Sequence, residues 1–438
     1  MQVYKFGGTS VGRPERMHRV AELIQADSER KIVVLSALSG TTNALVAIGD
    51  ALTAKNNDLA RQLIEELYEH YLAFYPKLVI GDNALAKAKQ IIDEHFSFIR
   101  TLPGHFFNKR LNKELLAQGE LMSTKLFTTY LHEQGVKAQL LPALDFMLVN
   151  EDHEPDLDFT SRELSALVEA AEGTQLFITQ GYICRDHEGE VSNLSRGGSD
   201  YTATLIGAAI QASETQIWTD IDGMHNNDPR VVENTFPIPE LSFDEASELA
   251  YFGAKILHPT SIIPAQRYNV PVRLKNTMEP KAPGTLISQH FSATGAVKAV
   301  AAKDGITAIK IRSNRMVLAY GFIRQIFEVF EKYKTPIDMI TTSEVAVSLT
   351  IDNDEQLPQI LETLEKFGQV QVDRNQSIVC VVGDFGEEKV GIATKVLDAM
   401  EEVPIRMISY GGSDYNISLL VGSENKEKSL CRLNEFLF

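Results

Sequence analysis

The chain has 438 residues, 44% hydrophobic and 23% charged, an ordinary globular composition and a length that suits about three domains of ~150 residues each. A formal net charge of −17 excludes a general nucleic-acid or anionic-membrane surface, since both need basic patches, but leaves room for a local basic pocket. Cys184, Cys380 and Cys431 are far apart without ligand spacing, and no stretch nears a signal core or the ~20 apolar residues of a membrane helix, so inert thiols and a cytoplasmic protein are expected.

The first predicted element is a strand over Met1 to Phe6. It runs into Gly7-Gly8-Thr9-Ser10, with Lys5 just before the bend and Gly12 just after it. Two glycines bring backbone N–H groups close to an anion, and Lys5 is placed to reach over the loop. By itself such a short motif is more often an ordinary strand–turn. Met17, Val20, Ala21 and Ile24 then recur at helical spacing in Arg16 to Gln25, with Pro14 suited to the first turn. The apolar run Lys31 to Ser36 follows, so strand–helix–strand predicts a parallel βαβ unit with its second strand buried on both faces. The exit loop Ala37 to Asn43 belongs to the same crevice as Gly7-Gly8, because ligands gather where strand C-termini feed loops.

From about Asp58 to Gln134 the pattern is helical, with breaks at Pro76 to Asp82 and at Pro103-Gly104; Gly119-Glu120 interrupts an otherwise apolar stretch of it. A strand over Thr174 to Ile183 leads to a second glycine loop, Ser195-Arg196-Gly197-Gly198-Ser199-Asp200, at the start of the apolar helix Ala203 to Ala212. Asp200 suits an N-cap, but Gly-Gly and Arg at a positive helix end also suit an anionic ligand. The strand Gln216 to Thr219 ends in Asp220-Ile221-Asp222-Gly223, and Ser242 with Glu245 has capping-box spacing for a helix to Gly253. Lys255 near its end would favour the helix dipole. A strand over Val270 to Lys275 follows, and Pro280, Pro283 and Gly284 mark the end of this unit.

The remainder contains an internal repeat. Pro336-Ile337-Asp338-Met339-Ile340 recurs as Pro404-Ile405-Arg406-Met407-Ile408, and Ser343 to Leu349 recurs as Ser413 to Leu419. Each copy reads strand, amphipathic helix (Phe322 to Tyr333; Lys389 to Met400), strand, turn, strand. Two such βαββ units leave sheet edges that must pack together or across a dimer. Asp338 offers a partner for an ammonium group; Arg406 in the second copy does not.

Four glycine-containing polar loops on one sheet edge, with Lys5, Arg196 and Lys255, suggest a nucleotide pocket. It is not of the Walker type, since the lysine precedes the glycines, and G-x-G-x-x-G with a ribose-binding acid is absent. At this point the chain resembles the aspartate kinases. The resemblance is carried by Lys5-Phe6-Gly7-Gly8-Thr9-Ser10, Ser195 to Asp200, Thr219 to Gly223, Asp228-Pro229-Arg230 and Gly253-Ala254-Lys255-Ile256-Leu257-His258-Pro259, five motifs in the family's order. The C-terminal repeat resembles the paired ACT domains of the lysine-sensitive, monofunctional forms, so no homoserine dehydrogenase half is expected.

The resemblance implies an α/β fold of the amino-acid-kinase type, a three-layer sandwich with a mainly parallel central sheet over 1–284. ACT-like α+β domains are expected over 297–372 and 373–438. It implies phosphorylation of the L-aspartate side-chain carboxylate by ATP with Mg²⁺ carried on the nucleotide, no tightly bound organic cofactor, and no metal site made by the protein. Lys5, Gly7, Gly8, Thr9 and Ser10 would hold phosphates, with Asp200 orienting Lys5. Thr219, Asp220, His225, Arg230, Lys255 and Ile256 would line the nucleotide, and Thr41, Glu120, Tyr182, Arg196 and Ser199 would hold aspartate. L-Lysine would bind at Met316, Ala319, Phe322, Ile323, Pro336, Ile337, Asp338, Ser343 and Glu344, and the ACT repeats would build a homodimer or larger homo-oligomer.

His225 stands where relatives commonly have Tyr, and Ala319 where a Ser is frequent. Lysine, threonine or no effector, and dimer or tetramer, stay open. The alternatives are a catalytically inactive amino-acid sensor, disfavoured by the presence of Lys5, Glu120, Arg196 and Asp200, and a related kinase of another carboxylate or carbamate.

Overall fold

The computed structural model describes residues 1–194, 197–253, 257–289, 297–313, 320–385 and 390–438. Arg196, Lys255, Ile256, Met316 and Ala319 lie outside the described residues. The chain forms two compact units: Met1–Met224, Pro239–Phe243 and Ile256–His290 make the first; His225–Ile238, Asp244–Lys255 and Phe291–Phe438 make the second.

Strands of the first unit are β1 (Gln2–Phe6), β2 (Lys31–Leu35), β3 (Ala138–Leu141), β4 (Leu176–Gln180), the short pair β5 (Ile183–Arg185) and β6 (Val191–Asn193), β7 (Thr215–Thr219), β8 (Glu240–Ser242), β9 (Val272–Asn276) and β10 (Thr285–Ser288). Eight of them form one sheet in the order β3-β4-β2-β1-β7-β9-β10-β8. It is parallel from β3 through β9, and β10 runs antiparallel to β9. Period-2 alternation builds the layers. Tyr4, Phe6, Val33, Leu35 and Ile178 face a core shared with the helices Pro14–Ile24, Thr41–Thr53, Asn57–Leu78, Asp82–Ile99 and Lys109–Glu133. Val3, Ile32, Val34 and Phe177 face the other core, with the helices Leu157–Ala170 and Gly198–Ala209. Helix, sheet and helix layers follow, and β2 is buried along its whole length.

In the second unit β11 (Val297–Arg312), β12 (Ile340–Thr342), β13 (Ala346–Ile351), β14 (Gln369–Gly383), β15 (Ile405–Tyr410) and β16 (Asn416–Gly422) form an antiparallel sheet in the order β12-β13-β11-β14-β16-β15. β11 and β14 each run through both repeats: Val300 of β11 is buried in the second core and Val370 and Val372 of β14 pack against the first, so the repeats share these two strands within one chain and are not divided at residue 372 as expected. Each repeat also carries a closing helix, Leu357–Leu364 or Lys426–Leu437, beyond the expected βαββ pattern. The first repeat packs Ile309, Ile326, Phe330 and Leu349 in its core, and the second packs Val379, Val396, Leu419 and Leu433. Val232, from the segment His225–Ile238, is buried in the second core.

Candidate active site

The sheet of the first unit changes winding direction at β1, whose successor β2 lies on one side and β7 on the other. Loops diverge at such a point and open a crevice at the strand C-termini. Gly7, Ser36, Gly181 and Asp220 directly follow β1, β2, β4 and β7 at that edge.

Lys5 stands in register with Val34 and Ile217. Its ammonium turns over the glycine loop: a Cβ on Gly7 would lie 3.2 Å from Lys5 Nζ. Lys5 Nζ is 2.6 Å from Asp200 Oδ1, and the two side chains are only 12% and 17% exposed. Asp200 occupies the first turn of the helix Gly198–Ala209, whose N-cap is Gly197 with φ 73°. A carboxylate there is favoured by the helix dipole and holds the lysine at a defined point. After Gly7 the chain enters the short helix Gly8–Val11, in which Ser10 is buried with its hydroxyl 2.9 Å from Thr277 Oγ1, while Thr9 is exposed.

The loop after β2 is pinned by the helix Lys109–Glu133. Ala37 N–H donates to Glu120 Oε1 at 3.2 Å, and Ser123 Oγ donates to the Ser36 carbonyl at 2.8 Å. Gly119 makes this approach possible, since a Cβ there would lie 2.8 Å from Ala37 Cβ and 3.1 Å from Thr41 Cγ2. Burial pushes the Glu120 carboxyl up to about 7, with the Ala37 N–H opposing it. Its Oε2 is buried with no hydrogen-bond partner. A lone buried carboxylate oxygen is costly unless a cation or donor arrives. Thr41 is buried with its hydroxyl 3.1 Å from that of Tyr71.

Ser199 Oγ accepts from Ser36 Oγ at 2.9 Å, and a Cβ at Gly181 would lie 2.3 Å from Ser199 Oγ, so only glycine fits there. Tyr182 adopts φ 68°, with its N–H donating to Thr202 Oγ1 at 2.9 Å. A left-handed tyrosine at a strand end is a strained conformation of the sort held at functional sites. Burial raises its phenol. Thr219 and Asp220 stand at the end of β7, their side chains bonded to each other at 3.1 Å.

The structure thus brings Lys5, Gly7, Gly8, Asp200, Ser199, Tyr182 and Glu120 to one edge of the first unit. His225 and Arg230 belong to the second unit, where His225 Nδ1 is 3.0 Å from Thr235 Oγ1 and Arg230 pairs with Asp228 at 2.7 Å. Sequence reasoning passed over Ser36, Gly181 and Thr202, whose roles arise from contacts with residues far along the chain. Among the described residues no group of three or more His, Cys, Asp or Glu side chains lies together as a metal site, and no helix is long and apolar enough to cross a membrane.

Of the expected effector residues, Phe322 is buried, Ile323 is exposed, Ile337 is half-buried, and Pro336, Ser343 and Glu344 are exposed. The Asp338 side chain is 1% exposed. All lie in the second unit.

A fixed lysine–carboxylate pair over a glycine loop, at the switch point of a mainly parallel sheet, defines a phosphoryl-transfer enzyme of the α/β class. The amino acid kinase family model matches residues 1–276, and an ACT domain model matches residues 379–437. Lysine-sensitive aspartokinase 3 of Escherichia coli is 34% identical over 453 residues, covering 100% of this chain and 99% of the relative. The crystal structure of E. coli aspartokinase III in complex with aspartate and ADP (R-state) superimposes with a TM-score of 0.83 at 32% identity, covering all of both chains. The same enzyme in complex with lysine and aspartate (T-state) gives 0.81 at 33% identity, covering 100% of this chain and 99% of that one. The chain belongs to the amino acid kinase family, as one of its aspartokinases.

Proposed function

We propose that this aspartokinase transfers the γ-phosphoryl group of ATP to the side-chain carboxylate of L-aspartate and is inhibited by L-lysine. One observation carries the catalytic reading: the Lys5 ammonium, held 2.6 Å from Asp200 beside Gly7. A positive charge fixed in this way stabilises the charge spread over the transferring group without having to reorganise during reaction.

In this reading a carboxylate oxygen of aspartate attacks the γ-phosphorus, a new O–P bond forms, and the bridging bond to the β-phosphate breaks to release ADP. The acceptor is already ionised near neutral pH, so no general base is needed and Asp200 acts by orienting Lys5. The backbone N–H groups at Gly7, Gly8, Thr9 and Ser10 hold phosphate oxygens, Thr219 and Asp220 line the nucleotide, and magnesium arrives with ATP as part of the substrate. The buried, unpartnered Glu120 Oε2 suits the substrate's α-ammonium, and Arg196 suits its α-carboxylate as a bidentate clamp. Thr41, Tyr182 and Ser199 complete the aspartate site. The family resemblance also assigns His225, Arg230, Lys255 and Ile256 to the nucleotide.

For the effector, Asp338 supplies the carboxylate that a lysine ammonium needs, and its Oδ2 is buried without a hydrogen-bond partner. A homodimer or larger homo-oligomer through the ACT repeats completes the reading. It is supported by apolar side chains left exposed there, such as Tyr320, Ile323, Phe327 and Leu397, and sedimentation is its test.

The deciding assay is aspartyl-hydroxamate formation with ATP, run with and without lysine and threonine. Product that depends on both aspartate and ATP, and falls with lysine, is expected. No product would leave the inactive-sensor alternative standing; inhibition by threonine alone would move the effector reading.

A further inference from the structure

One oxygen of Asp338 is already taken by the protein's own groups, while Oδ2 has no hydrogen-bond partner. Its Oδ1 accepts from Tyr251 Oη at 2.6 Å and from Lys303 Nζ at 3.0 Å. Lys303, on β11, is also 2.8 Å from Asp352 Oδ2, just beyond β13, and its ammonium lies 4.3 Å from the centre of the Tyr251 ring. Lys303 therefore has two carboxylates to choose between. Asp338 is enclosed, at 1% exposure, whereas Asp352 is 35% exposed. An ammonium leaving Asp338 keeps an ion pair in wetter surroundings, so its departure is inexpensive.

Tyr251 lies on the helix Phe243–Phe252, which directly follows β8 in the chain. The described residues of this segment from Asp244 to Gly253 cluster with the ACT repeats. The helix touches both of them. Tyr251 reaches Asp338 in the first, while Glu248 accepts from Ser413 Oγ at 2.7 Å and Asn416 Nδ2 at 2.6 Å in the second. Ser413 is the counterpart of Ser343 in the internal repeat. The helix end is seated closely as well: a Cβ at Gly253 would lie 2.2 Å from the Ala302 carbonyl oxygen, next to Lys303.

We propose that Lys303 is a tethered competitor for the ammonium group of an amino-acid effector at Asp338, and that its release from Asp338, leaving it on Asp352 alone, frees Tyr251 and loosens the helix Phe243–Phe252. The inference rests on the effector placement given above and deepens it. A side-chain ammonium resembles the free ligand's own group in charge and shape, so the charge of Asp338 is already balanced and an incoming ammonium must compete for it. Lys303 then sets the effector concentration at which inhibition begins. Tyr251 carries the exchange into a helix continuous in sequence with the catalytic sheet. A ligand must favour one of two states to shift their balance, and here the two states differ in which ammonium sits on Asp338.

The test titrates L-lysine into the purified full-length protein by calorimetry and follows hydroxamate formation over the same range. Wild type is compared with Lys303→Met, Lys303→Arg, Tyr251→Phe and Asp338→Asn. Removing the competitor is expected to tighten lysine binding about tenfold, the scale of one charge-assisted hydrogen bond. A merely structural lesion would weaken binding instead. Lys303→Arg, whose fork grips both carboxylates, is expected to weaken binding and covers the case in which the methionine variant does not fold. Tyr251→Phe is expected to bind lysine yet reach a lower maximal inhibition. Unchanged or weaker binding in a folded Lys303→Met, or unchanged binding in Lys303→Arg, overturns the competitor role; full inhibition in Tyr251→Phe overturns the coupling. If wild type does not bind lysine, or Asp338→Asn binds it like wild type, the effector placement itself fails, an outcome distinct from the others.

Discussion

At the scale of single residues, the proposed chemistry rests on two charged groups, and their surroundings set what each can do. Lys5 is held by Asp200 at 2.6 Å, so Lys5→Ala removes the fixed charge and leaves Asp200 unbalanced. Turnover is expected to fall by about 10²–10³-fold, the usual loss when one preorganised electrostatic contact is deleted. The thermal transition should remain cooperative; normal kcat in a folded variant would refute the assignment. Glu120 makes a different prediction. Burial lifts its carboxyl from 4.5 to about 7, so the folded state binds more protons than the unfolded state between those values. Stability is therefore greatest below pH 4.5 on this account and declines as pH rises toward 7. Glu120→Gln is expected to raise stability at pH 8 by on the order of 1–3 kcal/mol while raising KM for aspartate, as checked by urea unfolding at pH 5 and 8. In the wild type, kcat/KM for aspartate should fall about tenfold per pH unit below about 7, because the ammonium needs the ionised form. A flat profile from pH 8 to 6 would remove Glu120 from the site.

At the scale of elements, close approach rather than propensity decides where the loops lie. The helix Lys109–Glu133 reaches the loop after β2 only because residue 119 has no side chain. Gly119→Ala would force its new methyl against Ala37 and Thr41, an overpacking expected to cost about 1–3 kcal/mol. It should also lower activity by shifting the Ala37–Glu120 contact. Denaturant midpoints for the variant measure the first effect, and a midpoint at or above that of wild type would contradict it. The strand–helix–strand opening and the helical stretch broken at Pro76 to Asp82 were legible because burial periodicity is local. The observed breaks fall between Leu78 and Asp82 and between Ile99 and Lys109. The closing helices Leu357–Leu364 and Lys426–Leu437 follow the hairpin of each repeat and share no sequence motif that marks them as a pair. Their buried Ile360, Leu364, Leu430 and Leu433 show helical spacing in retrospect.

At the scale of the whole molecule, the two repeats are built around one sheet. β11 pairs with β14 over a register running from Val297↔Gly383 to Arg312↔Gln369, and both strands contribute to both repeat cores. Thiol chemistry offers an independent check on both units. All three cysteines are free; Cys184 and Cys380 are buried, and burial pushes the first thiol up to about 12 and the second upward as well. Only Cys431 is partly accessible. A disulfide-exchange reagent is expected to titrate one thiol per native chain and three after denaturation. Rapid reaction of two or three thiols in the native protein would show that the cores are not packed as described.

The chain by itself determined the kind of chemistry and the short stretches proposed to carry it. A lysine before paired glycines, a second glycine loop with a carboxylate, and an imperfect C-terminal repeat are statements about short stretches, and short stretches keep their local physics in any context. Only the tertiary structure decided what those stretches meet: that Asp200 is the partner of Lys5, that Glu120 has one oxygen buried without a partner, and that Asp338 already holds Tyr251 and Lys303. The last contact joins residues 251, 303 and 338, and a segment within the amino acid kinase match thereby clusters with the regulatory repeats. No local pattern encodes such a meeting, because it depends on burial and chain closure over long separations, which arise only when the whole chain is packed.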